Sequence, residues 1–179
     1  MEWYTSWVSQ HSLLSAAVQF AVLGTLGEIL AIQLKQRKLS LNWSPFRLLA
    51  KTIAWALLGV FVKYGFVGIK AALNGLLAAG YLPAALGSGI AWAVAVSVTI
   101  NLFFGPQLML FHRIEDNLID RSWDFTGIQK AWKTLIWFWI PAHSITFALP
   151  VNYQIGLAAV WGFVLGLILG SAKPVRPPG

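Results

Sequence analysis

Eight polar residues stand inside stretches of this sequence that are otherwise apolar: Glu28, Lys51, Lys63, Asn101, Gln107, His143, Thr146 and Gln154. An ionisable group at membrane depth costs a few kcal/mol on insertion scales, so each is a functional candidate with a partner to be found. Helix rise places Glu28 ~10 Å from the basic end of its span and His143 and Thr146 ~12–17 Å along theirs. Asn101 and Gln107 fall at a similar height, and Lys51 is near enough to reach Glu28. Polar groups of four helices at one depth predict a polar cavity open to the cytoplasmic side. The competing reading is a buried Glu28–Lys51 or Glu28–His143 pair that serves only helix association. Lys63 and Lys70, seven residues apart, share a helix face. Lys70 can snorkel to the head groups, whereas Lys63 is deeper and suits either a pairing or an anion-attracting role.

Other chemistry is thinly represented. Three scattered His and no Cys do not make a metal set. No GxSxG, P-loop or HExxH pattern occurs, and Glu28 with His143 is the single candidate acid–base pair. No cofactor is expected.

The elements that must carry these groups follow from composition. Of the 179 residues 58% are apolar and 11% charged, against ~45–50% and ~25% in a soluble domain. Too little polar surface remains for a water-soluble globule. The apolar residues fall in blocks near the roughly 20 residues that a spanning helix needs. The expectation is an all-α, polytopic integral membrane bundle forming one domain. The excess of 13 Lys and Arg over six acids clusters beside the spans, which points to topology and anionic lipid rather than nucleic acid.

Five transmembrane helices are predicted, at about 12–34, 48–73, 84–111, 135–149 and 152–171. Gly105-Pro106 should kink the third. Residues 112–134 read as one or two interfacial amphipathic helices, with Asp124 or Thr126 as a cap for the second. The fourth span is short, since fifteen residues rise only ~22 Å. The alternative is four spans, the last long and bent at Pro150. Lys35, Arg37, Lys38 and Arg47 make the first connector cytoplasmic; Arg113, Arg121, Lys130 and Lys133, with Lys173 and Arg176 of the tail, do the same at the other end. An uncharged N-terminus outside and a C-terminus inside require an odd number of crossings. Met1 to His11 lacks the basic n-region of a signal peptide, so the first span is expected to stay in the protein.

Gly162, Gly166 and Gly170 form a small-xxx-small ladder on the last span. It suits either packing within the monomer or a homodimer seam. The ten Trp fit interfacial belts better than a stacking platform for bases.

With the spans placed, the chain resembles the Mpv-seventeen and peroxisomal-membrane-protein-twenty-two family of small membrane proteins. Gly24-Thr25-Leu26-Gly27-Glu28-Ile29-Leu30 with Gln33-Leu34 is similar to that family's G-x-x-x-G-D-x-x-x-Q-x pattern, with Glu28 at the acidic position. Gly59 to Lys70 has the spacing of its Gly-to-Tyr-Lys stretch, with Lys63 where proline is common. Asn101 to Pro106 resembles D-Q-x-x-x-x-P, with Ile100 in place of the acid. Trp139, His143, Thr146, Phe147, Pro150, Gln154 and Trp161 echo its C-terminal aromatic and proline frame. The resemblance runs in order from Leu14 to Leu169 and implies a divergent bacterial relative in the inner (plasma) membrane, or else an organellar protein. It also implies a four-to-five-helix bundle with weakly selective channel or metabolite-transport activity.

Three functions compete. A small channel or transporter would pass polar or anionic solutes along Glu28, Asn101, His143 and Thr146. A non-transporting scaffold or lipid-binding protein would use the 112–134 segment, the Trp and the basic face. A lipid-modifying enzyme would need Glu28 and His143 to converge in a cleft.

Overall fold

The helices bury small and polar residues beside a limited set of large apolar ones, and expose many large apolar ones. On α2 (Ser12–Gln36), Ser15, Ala16, Gly24, Thr25 and Gly27 are buried, while Leu14, Val18, Val22 and Leu26 are exposed at every fourth position. Water would penalise such a surface, whereas lipid tails accept it. The computed structural model describes residues 2–37, 39 and 41–171. Lys38, Lys173 and Arg176, used above for topology, lie outside them.

Every described element is helical or a turn: α1 (Glu2–Gln10), α2, α3 (Pro45–Ala78), a short 3₁₀ turn at Ala84–Leu86, α4 (Gly89–Phe103), α5 (Gly105–Asp120), α6 (Ile128–Thr134), a π turn at Leu135–Trp139, α7 (Ile140–Ala148) and α8 (Val151–Ser171). Three of them, α2, α3 and α8, are long and apolar enough to cross a membrane, and the bent pair α4–α5 makes a fourth candidate. Ser44 caps α3 by accepting the Arg47 N–H at 3.2 Å, with Pro45 in the first turn, where its missing N–H costs nothing.

Facing residues give each helix its direction. Glu28 meets Lys51, Thr25 meets Thr52 and Phe20 meets Gly59, so α2 and α3 are antiparallel. From Asn74–Trp92 through Gly65–Phe104 and Phe61–Phe111 to Arg47–Asp120, α4 and α5 follow α3 backwards along its length. Gln19 faces Gly156 and Ala31 faces Gly170, so α8 is parallel to α2. The rings of Phe138 and Trp161 lie 6.2 Å apart, equidistant along the chain from Leu149–Pro150, so the chain reverses there rather than bending.

Several sequence expectations change. The kink falls at Phe104–Gly105, with a bend of 47°, and the helix beyond it continues to Asp120 and packs along α3. Asp124 and Thr126 do not cap α6. Its N-cap is Gly127 at φ 85, a conformation that favours glycine. Asp124 instead closes a turn, accepting the Thr126 N–H at 2.8 Å, and the Thr126 hydroxyl and N–H hold its carboxyl below the usual range. The fifteen-residue fourth segment is longer than expected, because helix runs unbroken from Ile128 to Ala148, about 31 Å of rise. The π turn precedes Pro141 and absorbs the ring that would strike the preceding turn of an α-helix.

Candidate functional site

Two polar groupings sit at different heights on one cavity. The first gathers where α2, α3 and α5 meet. Lys51, with 3% of its side chain exposed, places Nζ 2.9 Å from Glu28 Oε1 and 2.6 Å from Asp116 Oδ1. Trp55 Nε1 donates to Glu28 Oε2 at 3.0 Å. His112 packs against Trp55 with the rings tilted and 4.6 Å apart, and reaches Asp116 Oδ2 at 3.9 Å and Glu115 Oε2 at 3.7 Å. Further out, Arg47 pairs with Asp120 at 2.9 Å. A buried ammonium is tolerable here because two carboxylates compensate it and one of them has an extra donor.

The second grouping lies deeper, between α4 and α7. Ser97 Oγ donates to the Ile140 carbonyl at 2.7 Å, which ties the two helices together. One turn on, the Asn101 amide nitrogen bonds the Ser97 carbonyl at 2.8 Å and the His143 Nδ1 at 3.1 Å. Aromatic rings enclose the imidazole: Phe66 edge-on at 5.4 Å, Trp139 at 5.0 Å and Phe147 at 5.8 Å.

A cavity of ≈ 390 Å³ joins the two. Glu28, His112, Arg113 and Asp116 line its charged end, and Asn101, Trp139 and His143 its deep end, with Leu58, Val62, Phe104 and Leu165 among the apolar walls. Its lining stops at Phe20, Phe66, Ile100 and His143. Beyond these, Ala16, Leu73, Ala93, Val96, Phe147 and Ile155 pack as a buried apolar layer. The cavity therefore has a charged end and a sealed end.

Of the sequence candidates, Glu28, Asn101 and His143 share this cavity, and Lys51 holds Glu28 from behind. Glu28 and His143 do not pair: each has its own partners. Four others stand apart. Gln107 is exposed and bonds its own helix at Phe103. Thr146 is sealed and donates to Ala142 at 2.9 Å. Gln154 accepts from Lys70 Nζ at 2.9 Å and caps the chain reversal at Leu149. Lys63 is half-buried and makes no hydrogen bond or ion pair among the described residues. The glycine ladder packs within the chain: a methyl on Gly170 would lie 2.6 Å from Ala31 Cα and one on Gly166 3.2 Å from the Gly27 carbonyl oxygen. Gly162 is looser, with only Trp139 at 4.0 Å from an added methyl.

Sequence reasoning missed Asp116, His112, Trp55 and Ser97. The four-residue spacing of His112 and Asp116 was the available signal, since it puts both on one face of a helix. Among the described residues, no three His, Asp or Glu side chains converge as metal ligands. No family model, curated protein or solved structure matches this chain.

Proposed function

We propose that this chain is a small membrane carrier for compact organic solutes, working by exposure of a one-ended cavity rather than as an open pore. The observation that carries this reading is the shape of the cavity: polar groups at two heights and a packed apolar layer beyond the deeper one. A carrier needs a site closed on one side at a time, whereas a channel needs a continuous wet path. The layer of Val96, Phe147 and Ile155 interrupts any such path. The alternating helix directions support five crossings, with α6, the π turn and α7 forming the fourth. The basic connectors favour a cytoplasmic charged end and an external N-terminus. The motif resemblance to the Mpv-seventeen family is in keeping with this assignment and with a bacterial inner membrane.

The sequence has no Cys, so single cysteines report without background. Cysteines at Met109 and Gly162, which line the cavity, should react with an impermeant cationic thiol reagent added on the Ser122 side. One at Val96, 0% exposed, should stay unreactive from either side. Labelling of Val96→Cys, or steady ion conductance across the bilayer, would point to a through-pore. In liposomes, flux of labelled neutral and anionic metabolites should fall in Glu28→Gln and His143→Ala; unchanged flux would remove the carrier reading.

An apolar groove between Tyr4, Leu149, Pro150, Leu157 and Val160 favours a second reading, a lipid-binding scaffold. Stoichiometric copurified lipid with no solute flux would select it.

A further inference from the structure

The deep end of the cavity fixes the chemistry of what fits there. The Asn101 side chain is 2% exposed and its amide nitrogen bonds the Ser97 carbonyl. A carbonyl can only accept, so the amide cannot be turned to put its oxygen in that place without setting two acceptors face to face. The same nitrogen therefore donates its second hydrogen to His143 Nδ1. With Nδ1 an acceptor, the ring proton resides on Nε2. His143 is packed by Phe66, Trp139 and Phe147, yet keeps partial exposure and lines the cavity. Nε2 has no hydrogen-bond partner among the described residues.

We infer that His143 Nε2–H is the recognition donor of the cavity, held in that tautomer by Asn101, and that the ligand is a neutral carbonyl compound with a flat apolar body. This rests on the carrier reading only in taking the cavity as open to solute. An anion is disfavoured at this end, because the paired cation Lys51 is at the other end of the cavity, in the Glu28–Asp116 grouping, and burying an uncompensated charge is costly. The aromatic faces of Trp139 and Phe66 and a volume of ≈ 390 Å³ suit a bicyclic ring system. Asn101 is a positioning residue here, and His143 the binding residue.

The test is binding to the full chain in lipid nanodiscs, read against empty discs, with 2-acetylnaphthalene, 2-ethylnaphthalene and 2-naphthoate as probes. Acetylnaphthalene should bind about tenfold more tightly than its ethyl analogue, the gain of one buried hydrogen bond, with naphthoate weaker still. His143→Phe, which keeps the ring and removes the donor, should erase that preference. Nitrogen-15 spectra of histidine-labelled protein should show His143 protonated on Nε2 alone, and Asn101→Leu should mix the two tautomers. Equal binding of the acetyl and ethyl probes, naphthoate binding best, or an Nδ1–H tautomer overturns the inference. Probes that bind without preference while Glu28→Gln lowers solute flux leave the carrier reading standing. Preference without solute flux does the reverse.

Discussion

The Lys51 ammonium is held between two carboxylates on different helices, Glu28 of α2 and Asp116 of α5. Removing one member of a buried ion pair costs ~3–5 kcal/mol, because the charge left behind has neither water nor a partner. Lys51→Met leaves two such charges side by side. Both are about one-fifth exposed, so the low end, about 3 kcal/mol, is expected. Glu28→Gln should be milder, about 1 kcal/mol, since Asp116 still meets the lysine. Denaturant unfolding in detergent measures both, and equal losses would mean that the triad is not the unit. Two of the triad's three members were legible in the sequence: Glu28 and Lys51 lie at the same height in adjacent spans. Asp116 was not, because a stretch as charged as residues 112–134 reads as surface by hydropathy. Its carboxylates Asp116 and Asp120 pair with Lys51 and Arg47 of α3, and only the fold brings α3 alongside. Asn101 and His143 were legible as polar groups at one depth, but not as partners, since that depends on Ser97 anchoring α4 to α7.

Helix packing depends on where side chains are missing. Along α2 and α8, Gly27 and Ala31 face Gly166 and Gly170, and the backbones approach closely enough that a methyl on Gly170 would lie 2.7 Å from the Ala31 carbonyl oxygen. Without a hydrophobic force between helices in lipid, such close packing supplies the attraction. Gly170→Ala should therefore separate the two helices and cost ~1–3 kcal/mol, as overpacking does. Gly75→Ala is the control: no atom lies within 4 Å of its added methyl, so helix propensity should raise stability by up to ~1 kcal/mol. Melting temperatures in one detergent compare them, and a Gly170→Ala protein as stable as the parent would assign the ladder no packing role. The spacing of the ladder was readable in the sequence; its partner was not, because small residues at that spacing fit any close neighbour. The fourth segment shows the opposite failure. Its apolar run stops at Leu135, but helix continues back to Ile128 through Gln129, Lys130, Trp132 and Lys133. Counting apolar residues misses a turn whose polar side chains extend toward the interface.

At the scale of the molecule, the decisive quantity is the number of crossings. Three long apolar helices and one bent pair meet a length-and-hydropathy criterion, and four crossings would leave α6 to α7 on the charged side. The packing favours the five crossings proposed above. Ser97 and Asn101 of α4 bond α7, and Lys70 of α3 donates to Gln154 beside the Leu149–Pro150 reversal. The Tyr4 ring stacks on Tyr153 at 6.0 Å, which puts that reversal at the end of the bundle occupied by α1. The opposite end carries Arg47, Arg113, Asp116 and Asp120. Single cysteines at Ser88 and Leu149 should thus react with an impermeant reagent from one side of a sealed vesicle, and those at Asn42 and Ser122 from the other. The Leu149 result separates the two topologies, because in a four-crossing protein it would be labelled together with Ser122. That outcome would also turn the His143 end of the cavity toward the cytoplasm, so the direction of the cavity and the crossing number stand or fall together.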